Sequence, residues 1–74
     1  MDHPPPKGKI QLSPREREVL TLVAQGDSAF AISEVLAISK RTVDEHVRSA
    51  IRKLGAKNRT HAVALALRAG LIEA

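Results

Sequence analysis

The sequence contains no cysteine, tryptophan or tyrosine, and Phe30 is its single aromatic residue. Without cysteine the chain can form neither a disulfide nor a thiolate zinc site, and its histidines (His3, His46 and His61) are too scattered to indicate another metal site. A single aromatic residue also excludes the aromatic surfaces on which single-stranded bases stack. No apolar run approaches membrane-spanning length, and residues 1–8 lack the apolar stretch of a signal peptide. We therefore expect a cytoplasmic protein that contacts no membrane.

The basic charge of the chain is concentrated in one segment. The 74 residues, enough for one small domain, hold 12 Lys and Arg against 8 Asp and Glu, a net charge of +4. Residues 40–59, with seven cations and two carboxylates, alone carry +5. Such a run is usually a solvated surface, so it indicates nucleic-acid binding only where the geometry of the segment supports it.

Residues 1–11 are predicted to form a flexible, proline-rich tail or linker remnant, because three successive prolines favour an extended chain. Residues 12–74 are predicted to be the folded domain. Four residues in it are placed as helix N-caps, each followed by apolar residues at helical spacing: Ser13, Ser28, Ser39 and Asn58. No stretch shows the sustained alternation of a β-strand. The sequence therefore predicts an all-α fold, a four-helix bundle.

The third helix, predicted over residues 40–54, is strongly two-sided. One stripe along it is apolar and consists of Val43, Val47, Ala50, Ile51 and Leu54. The opposite direction holds polar and basic side chains, namely Arg41, Glu45, Arg48, Ser49 and Arg52. A three-residue turn, residues 37–39, separates this helix from a short second helix, which is typical of a helix-turn-helix. A basic, exposed helix face suits the major groove, so the pattern predicts binding to double-stranded DNA.

Several motifs in this order resemble the LuxR/GerE family of helix-turn-helix domains. They are Leu12–Leu20, Ile38-Ser39, Thr42-Val43, His46, Lys53-Leu54-Gly55, Asn58-Arg59-Thr60 and Ala62-Val63. The resemblance runs without gaps from about residue 12 to residue 72. It implies a four-helix transcription-regulator domain without a wing, whose third helix enters the major groove and whose fourth often mediates dimerisation. The segment 28–33 looks most like members of the family that answer to acyl-homoserine lactones, which implies quorum sensing.

By resemblance, Asp44, Glu45 and Arg48 occupy the positions that reach base edges. Arg48 is expected to contact guanine, and an ion pair with Asp44 is the alternative. The two carboxylates either accept hydrogen bonds from cytosine or are solvated and pair with neighbouring cations. The residues expected to contact the DNA backbone are Lys40, Arg41, Thr42, His46, Arg52, Lys53, Lys57 and Arg59.

The fourth helix is apolar around most of its circumference, which is typical of a helix that is embedded in the fold or shared with a partner. The residues predicted for a homodimer interface are Ala62, Leu65, Ala66 and Ala69. The helix has two apolar stripes, one of Ala62, Leu65 and Ala69 and one of Val63, Ala66 and Leu67, and the sequence leaves open which of them faces inward. Ala37, where the family commonly has glycine, leaves two alternatives: a turn that is less left-handed, or a turn that carries strain.

The expected partners are double-stranded DNA and a second copy of the chain, with RNA polymerase as a further candidate. No cofactor, metal or small molecule is expected in this domain, and no catalytic residues are assigned, because the sequence has neither a phosphate-binding loop nor a nucleophile–base set. The alternative function is a protein-interaction module that has kept the helix-turn-helix shape. The proline-rich start favours the output domain of a larger regulator, and a self-standing domain of this length, which also exists in the family, is the alternative.

Overall fold

A computed structural model describes residues 10–73, which form four helices and no strand. The helices are α1 (Pro14–Ala24), α2 (Ala29–Leu36), α3 (Lys40–Leu54) and α4 (Arg59–Arg68). The all-α, four-helix prediction is therefore confirmed. Of the predicted tail, residues 1–9 lie outside the described residues, whereas Ile10 packs against the core of the domain.

All four helices begin at the N-cap residues that the sequence predicts. At the start of α1, the backbone N–H of Glu16 donates to Ser13 Oγ at 3.1 Å, and the backbone N–H of Ser13 donates to Glu16 Oε1 at 2.8 Å. This reciprocal capping box satisfies two donors that would otherwise lack partners. Ser28, Ser39 and Asn58 each accept one backbone N–H at the start of their own helices.

Each of the four helices is followed by a residue with positive φ, and after α2 that residue is not glycine. Gly26, Gly55 and Gly70 have positive φ after α1, α3 and α4, whereas Ala37 has φ 57° and ψ 43° after α2. The backbone N–H of Ile38 donates to the carbonyl of Ser33 at 3.0 Å and closes this turn. The turn is thus fully left-handed, so the domain carries the strain of a left-handed alanine, about 1–2 kcal/mol.

The core consists of two clusters that meet along α1 and α3. Two adjacent residues of α1 belong to different clusters: Val19 packs with α2, and Leu20 packs with α4. The α2 cluster contains Val19, Ile32, Val43 and Val47. The α4 cluster contains Leu12, Leu20, Ala50, Leu54, Ala62, Ala66 and Ile72. Ile51 packs against both clusters, so the apolar stripe of α3 serves the whole core, as predicted.

The orientation of α4 corrects the predicted dimer face. Ala62 and Ala66 are fully buried in the α4 cluster, so the prediction that they meet a second copy is wrong. Their small side chains share this cluster with Ala50 of α3, which allows the two helices to approach closely. Leu65 is half-buried and Ala69 is exposed.

Candidate nucleic-acid interface

The helix α3 packs against α2 across the turn at residues 37–39. Ile32 of α2 is buried against Val43 and Val47 of α3. The first turn of α3 is organised by Ser39, whose Oγ accepts from the backbone N–H of Thr42 at 3.0 Å and donates to Thr42 Oγ1 at 2.9 Å. Because Thr42 Oγ1 is the acceptor in that bond, its own proton remains available for a phosphate oxygen.

One side of α3 forms a shallow concavity at the surface, which we call the outer face. It is lined by Lys40, Arg41, Asp44, Glu45 and Arg48. These positions follow one another at helical spacing, so their side chains project from the same side of the helix. The structure therefore brings the three predicted base-contacting residues together with two of the predicted phosphate ligands.

The charges of the outer face are not paired with one another. The ion pairs within residues 10–73 are Arg15–Glu18 and Lys53–Glu16, and neither includes the outer face. Arg48 is exposed, and no ion pair joins it to Asp44 in this part of the chain. Its guanidinium, with donors in a fixed planar fork, is therefore available to an external acceptor.

Two residues of α3 are turned towards α1 and away from the outer face. Lys53, predicted to contact phosphate, has its Nζ 2.9 Å from Glu16 Oε1. Ser49, predicted to lie opposite the apolar stripe, donates its hydroxyl to Glu16 Oε2. The ammonium of Lys53 is thus bonded to Glu16, while 41% of the Lys53 side chain stays exposed.

Glu16 is the one charged residue that is buried in the described part of the chain, with 5% of its surface exposed. Burial alone raises the pKa of its carboxyl. Hydrogen bonds from Ser49, Lys53 and the backbone of Ser13, together with the charge of Lys53, outweigh burial and lower the pKa from 4.5 to about 2. The sequence predicted only the capping role of Glu16. Its bonds to α3 join residues 33 and 37 positions apart, which no local pattern predicts.

The other predicted phosphate ligands flank the outer face or lie outside it. Arg52 is exposed on α3, and His46 is half-buried. Lys57 is exposed just before α4, and its backbone N–H donates to His61 Nδ1 at 3.0 Å. Arg59 lines a different concavity, beside Asp27 at the junction of α1 and α4. The concavity that Arg48 lines includes none of these residues.

No helix within residues 10–73 is long and apolar enough to cross a membrane. Over the same residues, no group of His, Asp and Glu side chains is arranged to hold a metal ion.

A model of the bacterial regulatory proteins of the luxR family matches residues 10–66. The chain belongs to the LuxR family. It is a LuxR-type helix-turn-helix DNA-binding domain. The match covers the helix-turn-helix and the outer face of α3 and extends into α4.

Three relatives illustrate the similarity. The transcriptional activator protein BjaR1 of Bradyrhizobium diazoefficiens is 55% identical over 69 residues, which cover 93% of this chain and 28% of BjaR1. The HTH-type quorum sensing-dependent transcriptional regulator RpaR of Rhodopseudomonas palustris is 50% identical over 72 residues, 97% of this chain and 30% of RpaR. The spore germination protein GerE of Bacillus subtilis is 42% identical over 67 residues, 90% of both proteins. The solved structure of the transcription factor GerE superposes with a TM-score of 0.81 at 39% identity, over 84% of this chain and 92% of that one.

Proposed function

We propose that the outer face of α3 enters the major groove and that Arg48 contacts guanine there. The exposed guanidinium of Arg48, unpaired within residues 10–73 and beside Lys40 and Arg41, is the observation that carries this proposal. Arginine recognises guanine through two hydrogen bonds, worth about 1–3 kcal/mol of discrimination between bases. Asp44 and Glu45 lie on the same face, where a carboxylate accepts from the amino group of cytosine.

Phosphate contacts are assigned to the residues around the start of α3. Lys40 and Arg41 are exposed there, and Thr42 has a hydroxyl proton to donate. The N-terminus of the helix adds partial positive charge at this point. Further contacts are assigned to the flanking residues Arg52, Lys57, Arg59 and His46. Lys53 is left out because Glu16 holds its ammonium.

A homodimer through α4 is the expected assembly, with a face that differs from the one predicted from the sequence. The apolar residues of α4 that remain exposed are Ala64 and Leu67, and 38% of the surface of Leu67 is accessible. Leu65, which is half-buried, and the exposed Ala69 stay in the proposed interface. A two-fold dimer would place two α3 helices on half-sites about one helical turn apart.

The chain spans about 28–30% of the length of BjaR1 and RpaR. We infer that it acts as the output domain of a quorum-sensing regulator, as the name of RpaR indicates for that relative. Such a regulator works in the cytoplasm, contacts RNA polymerase as well as DNA, and is not an enzyme. Its inducing ligand is assigned to a part of the regulator other than this domain.

Selection from a random duplex pool tests the proposal, with the wild type and Arg48→Ala compared at two salt concentrations. Arg15→Ala is the matched control, because it removes the same charge from α1, where Arg15 pairs with the exposed Glu18. We expect the wild type and Arg15→Ala to enrich the same inverted repeat. Arg48→Ala should lose its preference at one base position in each half-site while keeping its dependence on salt.

A protein-interaction module remains the second candidate, because Asp44 and Glu45 place two carboxylates on the face that would meet phosphates. Under this alternative, the wild type would show no enriched site, and Arg48→Ala would bind DNA as weakly as the wild type does. Retention of DNA that is sensitive to salt but without enrichment would mean contacts to the backbone alone.

A further inference from the structure

The carboxylate of Glu16 is buried, so it does not serve the solubility of the domain as a surface charge would. Burying a carboxylate is costly unless hydrogen bonds and an opposite charge compensate for the lost water. Both of its oxygens are occupied. Oε1 accepts from the backbone N–H of Ser13 at 2.8 Å and from Lys53 Nζ at 2.9 Å, and Oε2 accepts from the hydroxyl of Ser49. One side chain of α1 is therefore bonded to two side chains of α3.

The two partners on α3 are one helical turn apart, and each is next to an exposed arginine. Ser49 follows Arg48, and Lys53 follows Arg52. Neighbouring residues of an α-helix point about 100° apart, so the direction of Ser49 determines the direction of Arg48. The bonds to Glu16 thus act on the rotation of α3 about its own axis.

The apolar contacts of α3 determine this rotation less sharply. The buried residues of α3 are Val43, Val47, Ala50 and Leu54, and the dispersion contacts that they make have no preferred direction. Hydrogen bonds weaken steeply when their angle is poor. A roll of about 20° displaces an atom at the surface of a helix of roughly 5–6 Å radius by about 2 Å, and a bidentate contact to guanine does not tolerate such a shift.

We propose that Glu16 is a positioning residue for DNA recognition: its carboxylate fixes the rotation of α3 through Ser49 and Lys53 and so aims Arg48 at the base. The inference rests on the proposed contact between the outer face and bases. The same bonds pair the ammonium of Lys53 with Glu16, so Lys53 adds less to the salt dependence of binding than an unpaired lysine would.

The test compares Glu16→Gln and Ser49→Ala with Glu18→Gln, a matched control on the same helix whose carboxylate is exposed and paired with Arg15. For each variant the dissociation constant is measured for the selected DNA site and for a random duplex of equal length. Circular dichroism first establishes a temperature at which every variant is fully folded. Ser49→Ala removes a single hydrogen bond and leaves the capping box in place, so it remains informative if Glu16→Gln unfolds.

We expect the preference for the selected site over the random duplex to fall about tenfold in Glu16→Gln, the loss of one well-aimed base contact. Ser49→Ala should lose less, and Glu18→Gln should lose nothing. Binding of Glu16→Gln to the random duplex should persist and become steeper with salt, because Lys53 is released to phosphates. Adding Arg48→Ala to Glu16→Gln should cause little further loss, since both changes remove the same contact.

If folded Glu16→Gln and Ser49→Ala keep the site preference while Arg48→Ala loses it, this inference is overturned and the proposed function stands. Equally weaker binding to both duplexes also overturns it, because that result is expected if Glu16 contributes only to stability. If Arg48→Ala keeps the preference while Glu16→Gln loses it, the inference is overturned as stated, because Arg48 is then not the residue that Glu16 aims at the base. A wild type that enriches no site overturns the proposed function together with the inference.

Discussion

Lys53 Nζ lies 2.9 Å from Glu16 Oε1, so one cation of the basic segment is paired with a buried carboxylate. The sequence places Lys53 among the DNA-binding residues, next to Arg52. The structure makes it part of the junction between α1 and α3. This pair has consequences for stability that can be measured without any DNA.

The stability of the domain is expected to fall in acid because of Glu16. Its pKa in the folded chain is about 2, below the ordinary value of 4.5, so its stabilising contribution is complete above about pH 5 and is lost as the pH falls towards 2. Between pH 6 and pH 3, Glu16 accounts for a loss of about 2 kcal/mol in the free energy of unfolding. Urea denaturation of the wild type and Glu16→Gln at both pH values measures this contribution. The wild type should be clearly more stable at pH 6, and most of the difference should vanish at pH 3. A constant difference would contradict the assigned pKa.

Ala37→Gly is expected to stabilise the domain by about 0.5–1 kcal/mol. Glycine removes the cost of the left-handed φ of 57°, and the greater freedom of glycine in the unfolded chain cancels part of that gain. Gly55→Ala is the reciprocal control at the end of α3. An added Cβ meets no atom within 4 Å there, so only the backbone strain is tested. Gly55→Ala should lower the midpoint of thermal unfolding while Ala37→Gly raises it. A lower midpoint for Ala37→Gly would show that the turn is not strained.

Glu45→Gln is expected to strengthen binding to any duplex, about threefold at low salt, because it removes a negative charge from the surface that meets phosphates. The gain should shrink as salt is added. Fluorescence anisotropy with a random duplex measures it, and Glu34→Gln, an exposed carboxylate on α2, is the control. If Glu45 also accepts from a cytosine, site selection by Glu45→Gln should relax at one position. Weaker binding to every duplex would contradict the first expectation.

Substitutions of Leu67 and Ala66, which are neighbours on α4, are expected to affect different properties: self-association for Leu67 and stability for Ala66. Leu67→Lys should prevent self-association, measured by analytical ultracentrifugation, and leave the melting temperature of the monomer nearly unchanged, since Leu67 is partly exposed. Ala66→Leu should lower the free energy of unfolding by about 1–3 kcal/mol, because Ala66 is fully buried and three more carbon atoms are expected to overpack the core. Loss of self-association in a folded Ala66→Leu, with Leu67→Lys still dimeric, would restore the face predicted from the sequence.

The sequence was sufficient wherever the controlling interaction is local. Ser13, Ser28, Ser39 and Asn58 begin the helices as predicted, because an N-cap acts on a backbone N–H within its own first turn. The apolar stripe of α3 was predictable for the same reason, since the period of a helix converts spacing directly into direction. The exposed position of Arg48 opposite that stripe therefore required no knowledge of the other helices.

Where the spacing of residues is compatible with several arrangements of a helix, packing between distant residues determined which face is buried. Ala62 and Ala66 are chemically equivalent to Ala64 on an apolar helix, and only the approach of α4 to Ala50 determines which of them are buried. Ser49 and Lys53 are polar, like Arg48 and Arg52 beside them on α3, yet they face α1. There they donate the hydrogen bonds that the buried carboxylate of Glu16 requires. Residue spacing thus sets the direction of a side chain within its own helix. How that helix rotates against the others depends on contacts across the fold, which spacing does not encode.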